Sequence, residues 1–296
     1  MYLSIWFGVM LSTQTGCSVF KKHSKEADLA AAEVHAPAMP PADLPAAAPP
    51  PPPVIRPQNA PSAMPKVPPA GARISYSSIH TDKMVLAMTF DDGPHPSNTP
   101  RLLDMLKQRN IKATFFVVGK NAKEYPQIIR RIVEEGHEIG NHTWTHASLT
   151  SRSDAQIRSE LKMSEDALVA AAGYRPHVIR PPYGAINSRI KELMYSEFGY
   201  STIMWSVDPQ DWRRPGVSVV TSRLVNGAHK GAILLAHDIH PPTIQAMPST
   251  LDQLLAKGYQ FVTISQLMNI EKEDAPLGVV IRQALPADLD PTPLPQ

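Results

Sequence analysis

Hydrophobic and polar positions along the middle of the chain follow two alternating periods, one typical of buried strands and one typical of amphipathic helices. Short apolar runs predict strands at residues 84–90, 113–118, 138–141, 178–179, 201–206, 232–236 and 260–263. Between them, apolar residues spaced three and four positions apart predict helices at residues 99–109, 122–135, 154–172, 187–198, 217–226 and 243–257. Gly136 and Gly173 directly follow two of these helices, as expected of residues that end a helix.

This alternation of strand and helix, repeated about seven times, predicts a parallel sheet with helices packed outside it. Closure of such a sheet gives a barrel of the (β/α) kind. We therefore expect an α/β fold in which the loops that follow the strands meet at one rim. In barrels of this kind, those loops carry the chemistry.

Proline separates this folded middle from both ends of the chain. Of the 31 prolines, 14 lie between Pro37 and Pro69, and others cluster after Pro276. Segments rich in Ala and Pro bury too little apolar surface to offset chain entropy, and proline runs favour extended polyproline II. We expect a folded domain at residues 73–272, a disordered spacer at residues 18–72 and a flexible Pro-rich tail at residues 273–296.

Residues 1–11 form an apolar run that is too short to cross a bilayer, which needs about 20 residues, but that fits a secretory signal. Cys17 follows in the string Gln14-Thr15-Gly16-Cys17, which resembles a bacterial lipoprotein processing site. It departs from that pattern at Gln14, where an aliphatic residue is usual, and no Lys or Arg precedes the run. We expect an exported protein of the periplasm or cell envelope, with residues 1–17 as the signal and Cys17 as a candidate lipid anchor. The alternative is a disordered N-terminus with an incidental cysteine.

The remaining composition excludes several classes of function. A single cysteine excludes an intrachain disulfide and a cysteine-based metal site, so that a metal would need His, Asp or Glu ligands. The formal net charge of +2 and the absence of a dense Lys/Arg block give no support to nucleic-acid binding. The sequence also contains no serine-nucleophile motif, dinucleotide fingerprint or P-loop.

Polar clusters follow five of the predicted strands. They are Asp91-Asp92-Gly93-Pro94, His142-Thr143-Trp144-Thr145-His146, Arg180-Pro181-Pro182-Tyr183-Gly184, Asp208-Pro209-Gln210-Asp211-Trp212 and His237-Asp238. Each cluster alone is as typical of a turn or a solvated loop as of a functional site. Because the carboxyl ends of parallel strands share one rim, we expect the five clusters to converge there.

Two histidines and one carboxylate from these clusters fit a Zn²⁺ site that leaves a position open for water. His142, His146 and one of the pair Asp91 and Asp92 would supply the three ligands. Such a metal polarises a carbonyl and lowers the pKa of water toward about 7. The other aspartate is a candidate general base, which Arg180 could hold ionised by charge pairing.

A hydrolase of this kind also needs an acid that protonates the departing amine. His237 is the candidate, because imidazole titrates near neutral pH. Asp211 is a carboxylate that could orient this histidine and stabilise its protonated form. Backbone N–H groups in the turn Pro182-Tyr183-Gly184 could stabilise the developing oxyanion.

In their residues and their order, the five clusters resemble the motifs of the polysaccharide deacetylase family, the NodB homology domain of carbohydrate esterase family 4. The resemblance covers about residues 80–270, and the one departure is Ala147, where a proline is usual. It implies a distorted (β/α) barrel with a groove open to a glycan chain. It also implies Zn²⁺, or another divalent metal such as Co²⁺ or Ni²⁺.

The resemblance implies a role for each candidate residue. The implied roles are general base (Asp91), metal ligand (Asp92, His142 and His146), orientation of the base (Arg180), oxyanion hole through the backbone (Tyr183), general acid (His237), tuning of the acid (Asp211) and lining of the acetyl pocket (Trp212 and Leu235). We therefore expect an enzyme that removes acetyl groups from N-acetylglucosamine-type residues of a polysaccharide.

The expected partner is an acetylated glycan polymer, and peptidoglycan is the first choice because an exported protein with a short spacer lies close to it. We expect no nucleic-acid partner and a monomeric chain. A zinc protease is disfavoured, because His137-Glu138 lies one residue too far from His142 for the His-Glu-x-x-His helix. A small-molecule amidohydrolase and a non-catalytic glycan-binding wall protein are the alternatives.

Overall fold

The computed structural model describes residues 73–274, within which strands and helices alternate as the hydrophobic pattern predicts. The strands are β1 (Ser75–Tyr76), β2 (Val85–Asp91), β3 (Thr114–Val117), β4 (Glu138–Asn141), β5 (Val178–Ile179), β6 (Ser201–Ile203), β7 (Ala232–His237) and β8 (Gln260–Phe261). The α-helices are α1 (Asn98–Gln108), α2 (Gly119–Glu124), α3 (Pro126–Glu134), α4 (Asp154–Ala172), α5 (Ser188–Phe198), α6 (Val217–Gly227), α7 (Pro241–Ala256) and α8 (Ile264–Asp274). Short 3-10 helices lie at Leu149–Ser151, Pro182–Gly184 and Asp211–Arg213.

The expected signal at residues 1–17 with Cys17, the spacer at residues 18–72 and residues 275–296 of the expected tail lie outside the described residues. No helix of the described part is both long enough and apolar enough to cross a membrane.

All ladders of the sheet are parallel, in the order β1-β6-β5-β4-β3-β2-β7, and β8 pairs with β2. Isolated bridges join Val207 to Leu234 and Ser78 to Ala232, and the ladder stays open between the edge strands of the described residues. The predicted α/β fold with a distorted, barrel-like parallel sheet is therefore confirmed, with eight strands in place of about seven. Because every strand runs in the same direction, the loops that follow them share one rim.

The central strand β2 shows why these strands read as continuous apolar runs. All seven of its residues are buried, as is usual for parallel strands that are covered on both faces. Leu86, Met88 and Phe90 belong to the cluster that packs against the helices, whereas Ala87 packs with Ile233 in a second cluster. The same two-residue period places Thr89 and Asp91 on the face of Ala87.

The predicted helix at residues 122–135 is wrong in one respect, because the structure contains two helices, α2 and α3, in this region. Tyr125 between them has φ −124° and ψ 55°, outside the helical region, and Pro126 begins α3. Proline has no N–H and disfavours the helical conformation of the residue before it, which explains the break.

Other element ends also differ from the prediction. The strand predicted at residues 201–206 ends at Ile203, and β1 was not predicted because two residues show no periodicity. Helix α8 was missed although Ile264 and Leu267 bury an apolar face at helical spacing. It continues through Glu273 and Asp274, which the sequence placed in the flexible tail.

Candidate active site

Five loops at the rim carry the candidate residues. Asp91 is the last residue of β2 and is the register partner of His237, the last residue of β7. His142 directly follows β4, and Arg180 directly follows β5. Asp211 begins the 3-10 helix that comes after β6. Parallel strands therefore deliver side chains from distant parts of the chain to one place.

Asp92, His142 and His146 form a group that could hold a metal ion. Their ligand atoms all lie within 4.8 Å of one another. Asp92 Oδ1 is 3.3 Å from Nε2 of His142 and 3.1 Å from Nε2 of His146. Two imidazole nitrogens and one carboxylate are a donor set typical of catalytic Zn²⁺ sites.

The hydrogen bonds of this group leave its converging atoms unsatisfied. Nδ1 of His142 is 2.7 Å from the carbonyl oxygen of Arg180, which can only accept, so Nδ1 carries the proton of the neutral ring. That ring presents a bare Nε2 to Asp92, whose Oδ1 is buried without a hydrogen-bond partner in the described chain. Two facing lone pairs are unfavourable unless a cation lies between them, and so the residues fit a divalent metal.

The protonation states of the group also suit metal binding. Burial would raise the pKa of Asp92, but the nearby His142, His237 and His146 outweigh it and hold that pKa well below its usual range. Burial and the neighbouring His142 lower the pKa of His146. A metal site needs an ionised carboxylate and neutral imidazoles, and these shifts favour the ionised form of Asp92 and the neutral form of His146.

A fully buried arginine fixes Asp91 beside this group. The Nη1 group of Arg180 donates to Asp91 Oδ1 at 2.7 Å and to Thr89 Oγ1 at 2.8 Å. Nε and Nη2 donate to the backbone carbonyls of Ile203 and Met204, respectively, and Cζ lies 4.2 Å from the centroid of the Phe116 ring. Asp91 Oδ2 is 3.9 Å from Nε2 of His142, so that one carboxylate oxygen faces the metal group while the other is held by Arg180.

A second charged pair ends β7. Nδ1 of His237 is 2.7 Å from Asp211 Oδ1, and Asp211 Oδ2 accepts hydrogen bonds from the His237 backbone and from Thr243 Oγ1, both at 2.8 Å. Burial disfavours the charged ring, but the bond and the charge of Asp211 prevail and raise the pKa of His237 to about 9. His237 therefore carries a proton at neutral pH and can donate it.

The three residues predicted on the substrate side lie in different surroundings. Tyr183 is 70% exposed, and its hydroxyl is 3.2 Å from Nδ1 of His146. Trp212 is 50% exposed and directly follows Asp211. Leu235 is buried within β7, where it is the register partner of Thr89. A shared acetyl pocket formed by Trp212 and Leu235 stays a prediction.

The rim also contains a buried acid, Asp238, for which the sequence analysis predicts no role. Asp238 is completely buried, accepts a hydrogen bond from Thr99 Oγ1, and has its pKa raised to about 7, chiefly by burial. A Cβ on Gly93 would lie 2.5 Å from Asp238 Oδ1, so that only glycine allows this close approach. Asp238 thus ties the loop after β7 to the loop after β2.

Two residues outside the predicted set bind the loops of the site. Glu160 of α4 accepts hydrogen bonds from the backbone of Trp144 and Thr145, and Thr243 bonds to Asp211. Glu160 has no local sequence signal, because it lies in the middle of a long helix that shows an ordinary polar face. Thr243 belongs to α7 and is polar yet fully buried, which only the structure reveals.

Comparisons with known proteins agree with this geometry. A family model described as polysaccharide deacetylase matches residues 78–203. The peptidoglycan-N-acetylglucosamine deacetylase PgdA of Listeria monocytogenes is 43% identical over 182 residues, which are 62% of this chain and 38% of that protein. The chain therefore spans less than half the length of this relative.

Two solved structures share the fold. The structure of the peptidoglycan deacetylase PdaC from Bacillus subtilis is 38% identical with a TM-score of 0.62, over 65% of this chain and 93% of that chain. A CE4 family pseudoenzyme from Bacillus anthracis is 30% identical with a TM-score of 0.64, over 67% of this chain and 70% of that chain. Similarity of fold thus extends both to a named deacetylase and to a named pseudoenzyme.

Proposed function

The chain belongs to the polysaccharide deacetylase family, and from that premise we propose that it hydrolyses the N-acetyl amide of N-acetylglucosamine-type residues in peptidoglycan and releases acetate. The observation that carries the proposal is the convergence of Asp92, His142 and His146 within 4.8 Å. The Asp91–Arg180 pair lies directly beside this group, and the His237–Asp211 pair ends the neighbouring strand.

Asp92, His142 and His146 are the proposed ligands of one divalent cation, with Zn²⁺ as the first choice and Co²⁺ or Ni²⁺ as alternatives. When bound, such a cation polarises a carbonyl oxygen and lowers the pKa of water. Asp92 contributes an ionised oxygen to which no group among residues 73–274 donates a hydrogen bond. The carbonyl of Arg180 fixes the ring of His142 in the tautomer that a metal ligand needs.

Asp91 is the proposed general base. Arg180 holds its Oδ1 and keeps the carboxylate oriented, so that Oδ2 can take the proton of the attacking water. The backbone N–H of Tyr183 is the proposed donor to the developing oxyanion.

His237 is the proposed general acid. It is protonated at neutral pH because Asp211 stabilises the charged ring, and it can pass a proton to the amine as the carbon–nitrogen bond breaks. Trp212 and Leu235 are the proposed lining of the pocket that receives the acetyl methyl group. These assignments give each candidate residue of the rim one task.

Peptidoglycan is the proposed polymer because two relatives, PgdA and PdaC, are named for it. We propose that the chain is exported, with a signal at residues 1–17, a spacer at residues 18–72, the catalytic domain at residues 73–272 and a tail at residues 273–296. Cys17 is the proposed lipid anchor, which would hold the catalytic domain close to the cell wall.

A non-catalytic glycan-binding protein is the alternative that the Bacillus anthracis pseudoenzyme keeps open, because its fold is as similar as that of PdaC. The proposed base Asp91, the three proposed ligands and the proposed acid His237 are all present in this chain, which favours catalysis. A small-molecule amidohydrolase would use the same chemistry on a different substrate.

Acetate release by the purified chain tests the proposal on peptidoglycan, chitooligosaccharide, poly-N-acetylglucosamine and a soluble small amide, each with and without a chelator. We expect release from peptidoglycan that the chelator abolishes and added Zn²⁺ restores. Release from the small amide alone would indicate an amidohydrolase of small molecules. A chain that binds peptidoglycan but releases no acetate from any substrate would be a non-catalytic binder.

A further inference from the structure

The turn that carries both histidines, residues 142–146, has a backbone that its own residues do not favour. We call it the histidine turn. Thr143 has φ 64° and His146 has φ 59°, which lie in the left-handed region that residues other than glycine rarely adopt. Contacts from outside the turn must therefore hold it in place.

The start of the histidine turn is held by its neighbours in the sheet and by α2. The N–H of Thr143 donates to Asn141 Oδ1 at 2.7 Å. The carbonyls of Thr143 and Trp144 accept hydrogen bonds at 2.9 and 3.1 Å from the first two residues of α2, Gly119 and Lys120. These bonds leave the N–H groups in the middle of the turn, those of Trp144 and Thr145, to be satisfied from elsewhere.

A single carboxylate on α4 accepts hydrogen bonds from both of these N–H groups. Glu160 Oε2 accepts hydrogen bonds from the backbone N–H groups of Trp144 at 3.0 Å and Thr145 at 2.8 Å. Glu160 Oε1 accepts a third bond from Thr145 Oγ1 at 2.7 Å. An anionic acceptor makes each of these bonds stronger than a neutral one would. Three bonds to one side chain clamp the middle of the turn between its two histidines.

The helix that carries Glu160 is itself firmly placed. α4 has 19 residues, and a capping box at Ser153 precedes it. Ile157 and Leu161, which lie before and after Glu160 in the sequence, are buried in the core. Gly119, the first residue of α2, packs closely against both the turn and α4, because a Cβ at this position would lie 2.7 Å from the ring of Trp144 and 2.7 Å from Cα of Ser164. Glu160 can therefore transmit the position of α4 to the turn.

We propose that Glu160 is a positioning residue for metal binding: it fixes the middle of the histidine turn, so that Nε2 of His142 and Nε2 of His146 both face Asp92. It does so through the backbone of Trp144 and Thr145 and not through the ligand side chains. The inference rests on the proposed function, because its effect is expressed as affinity for the metal.

The test is the Zn²⁺ dissociation constant of the full chain, measured by competition with a chromophoric chelator, together with the unfolding temperature of each metal-free variant. We expect Glu160→Ala to bind Zn²⁺ about tenfold or more weakly, as is usual when a residue that orients ligands is lost. Glu160→Gln should restore most of the affinity, because its amide oxygen can still accept both backbone N–H groups. The matched control is Asp166→Ala, which removes an exposed carboxylate of the same helix that pairs with Lys162.

Two results would overturn the clamp. One is a folded Glu160→Ala chain that binds Zn²⁺ as tightly as the wild type. The other is a loss of affinity in Asp166→Ala that equals the loss in Glu160→Ala. If Glu160→Ala does not fold, Glu160→Asp decides, since its side chain is one methylene too short to hold the turn and wild-type affinity would refute the clamp. A wild-type chain that binds no Zn²⁺ contradicts the proposed function first, and the clamp with it.

Discussion

The two ends of the sheet use left-handed backbone in opposite ways. Within residues 73–274, the loops that precede the strands place mainly glycine at positive φ: Gly136, Gly173, Gly199, Gly231 and Gly258, with Asn110 as the exception. The loops of the rim use Gly184 and Gly216, but they also place six other residues there: Asp92, Thr143, His146, Tyr183, Gln210 and Arg214. The rim therefore contains most of the backbone strain of the described domain.

Glycine adopts this conformation freely, whereas another residue costs about 1–2 kcal/mol. At the far end of the sheet, where the strands begin, the loops need only the shape of the turn, and glycine allows that shape. At the rim, Asp92 and His146 are proposed metal ligands, a role that needs a carboxylate and an imidazole and that glycine cannot fill. Two of the six strained residues, Asp92 and His146, are thus proposed metal ligands, and strain of this kind is common at functional sites.

Two partly buried carboxylates, Glu138 and Asp92, show the same contrast. At the far end, Glu138 accepts hydrogen bonds from Thr114 Oγ1 and from the backbone of Ser265, both at 3.0 Å, and also from the Ser265 hydroxyl. At the rim, Asp92 Oδ1 has no hydrogen-bond partner among the described residues. We infer that Glu138 stabilises the fold because its hydrogen bonds connect α8 to β4, whereas Asp92 is positioned to bind a ligand.

The largest effect is expected where the base is removed. Asp91→Asn keeps the shape of the side chain but cannot take a proton, so we expect acetate release to fall by about 10²–10⁴-fold. Zn²⁺ binding should survive, because Asp91 is not one of the three proposed ligands. Glu138→Gln is the matched control at the far end and should leave the rate of the folded chain unchanged. Full activity in Asp91→Asn would reverse the roles assigned to Asp91 and Asp92.

The next effect is a change in pH dependence at the rim. In the folded chain the pKa of His237 is about 9, above its ordinary value near 6.5, so the ring is protonated at neutral pH. The proton, and the stability that the charged ring adds to the fold, are lost as the pH rises through about 9. The rate should therefore fall on the alkaline side near pH 9. Asp211→Asn removes the charge that raises this pKa, so we expect the alkaline limb about 1–3 pH units lower. An alkaline limb that does not move would exclude His237 as the acid in partnership with Asp211.

A purely structural effect is expected at the far end. Glu138→Ala leaves the N–H of Ser265 and the hydroxyl of Thr114 without their acceptor, so we expect a loss of about 1–3 kcal/mol in the free energy of unfolding. Denaturant titration measures this loss, while the catalytic rate of the folded fraction should stay at the wild-type value. A fall in rate without any loss of stability would show that the two ends are not separate in function.

The smallest effects compare the backbone of the two ends directly. Gly258 has φ 86°, and a Cβ at this position would meet no other atom within 4 Å, so Gly258→Ala should cost about 1 kcal/mol through backbone strain alone. Arg214 has φ 54° and an exposed side chain, so Arg214→Gly should range from neutral to about 1 kcal/mol more stable. Thermal unfolding of the two variants checks both expectations. If both substitutions changed stability in the same direction and by the same amount, the proposed difference in backbone strain between the two ends of the sheet would be refuted.

The sequence predicts the rim better than it predicts the contacts that support it. Strand ends are readable from hydrophobic runs, and so Asp91, His142, Arg180 and His237 could be placed at one edge before their distances were known. The positive φ angles of the rim loops could not be predicted, because nothing local distinguishes Thr143 or His146 from ordinary loop residues. Their chemical roles stay predictions.

Supporting contacts depend on packing between elements that are distant in the chain. Glu160 lies 15 residues from Thr145, with which it bonds, and on a helix whose polar face looks ordinary. Pro126 predicts the break at Tyr125, and the apolar spacing at residues 264–267 predicts α8. The sequence therefore contains the signals for both features, although the predicted elements did not include them. Glu160 and Thr243, in contrast, acquire their importance only from tertiary contacts.

Every role proposed at the rim depends on the binding of one divalent ion by Asp92, His142 and His146. Zn²⁺ stoichiometry on the purified chain tests it most directly, with His142→Ala and the more exposed His146→Ala measured beside the wild type. We predict one Zn²⁺ per wild-type chain and a loss of tight binding in both variants, with His146→Ala still folded. Tight one-to-one binding that survives both substitutions would contradict the account.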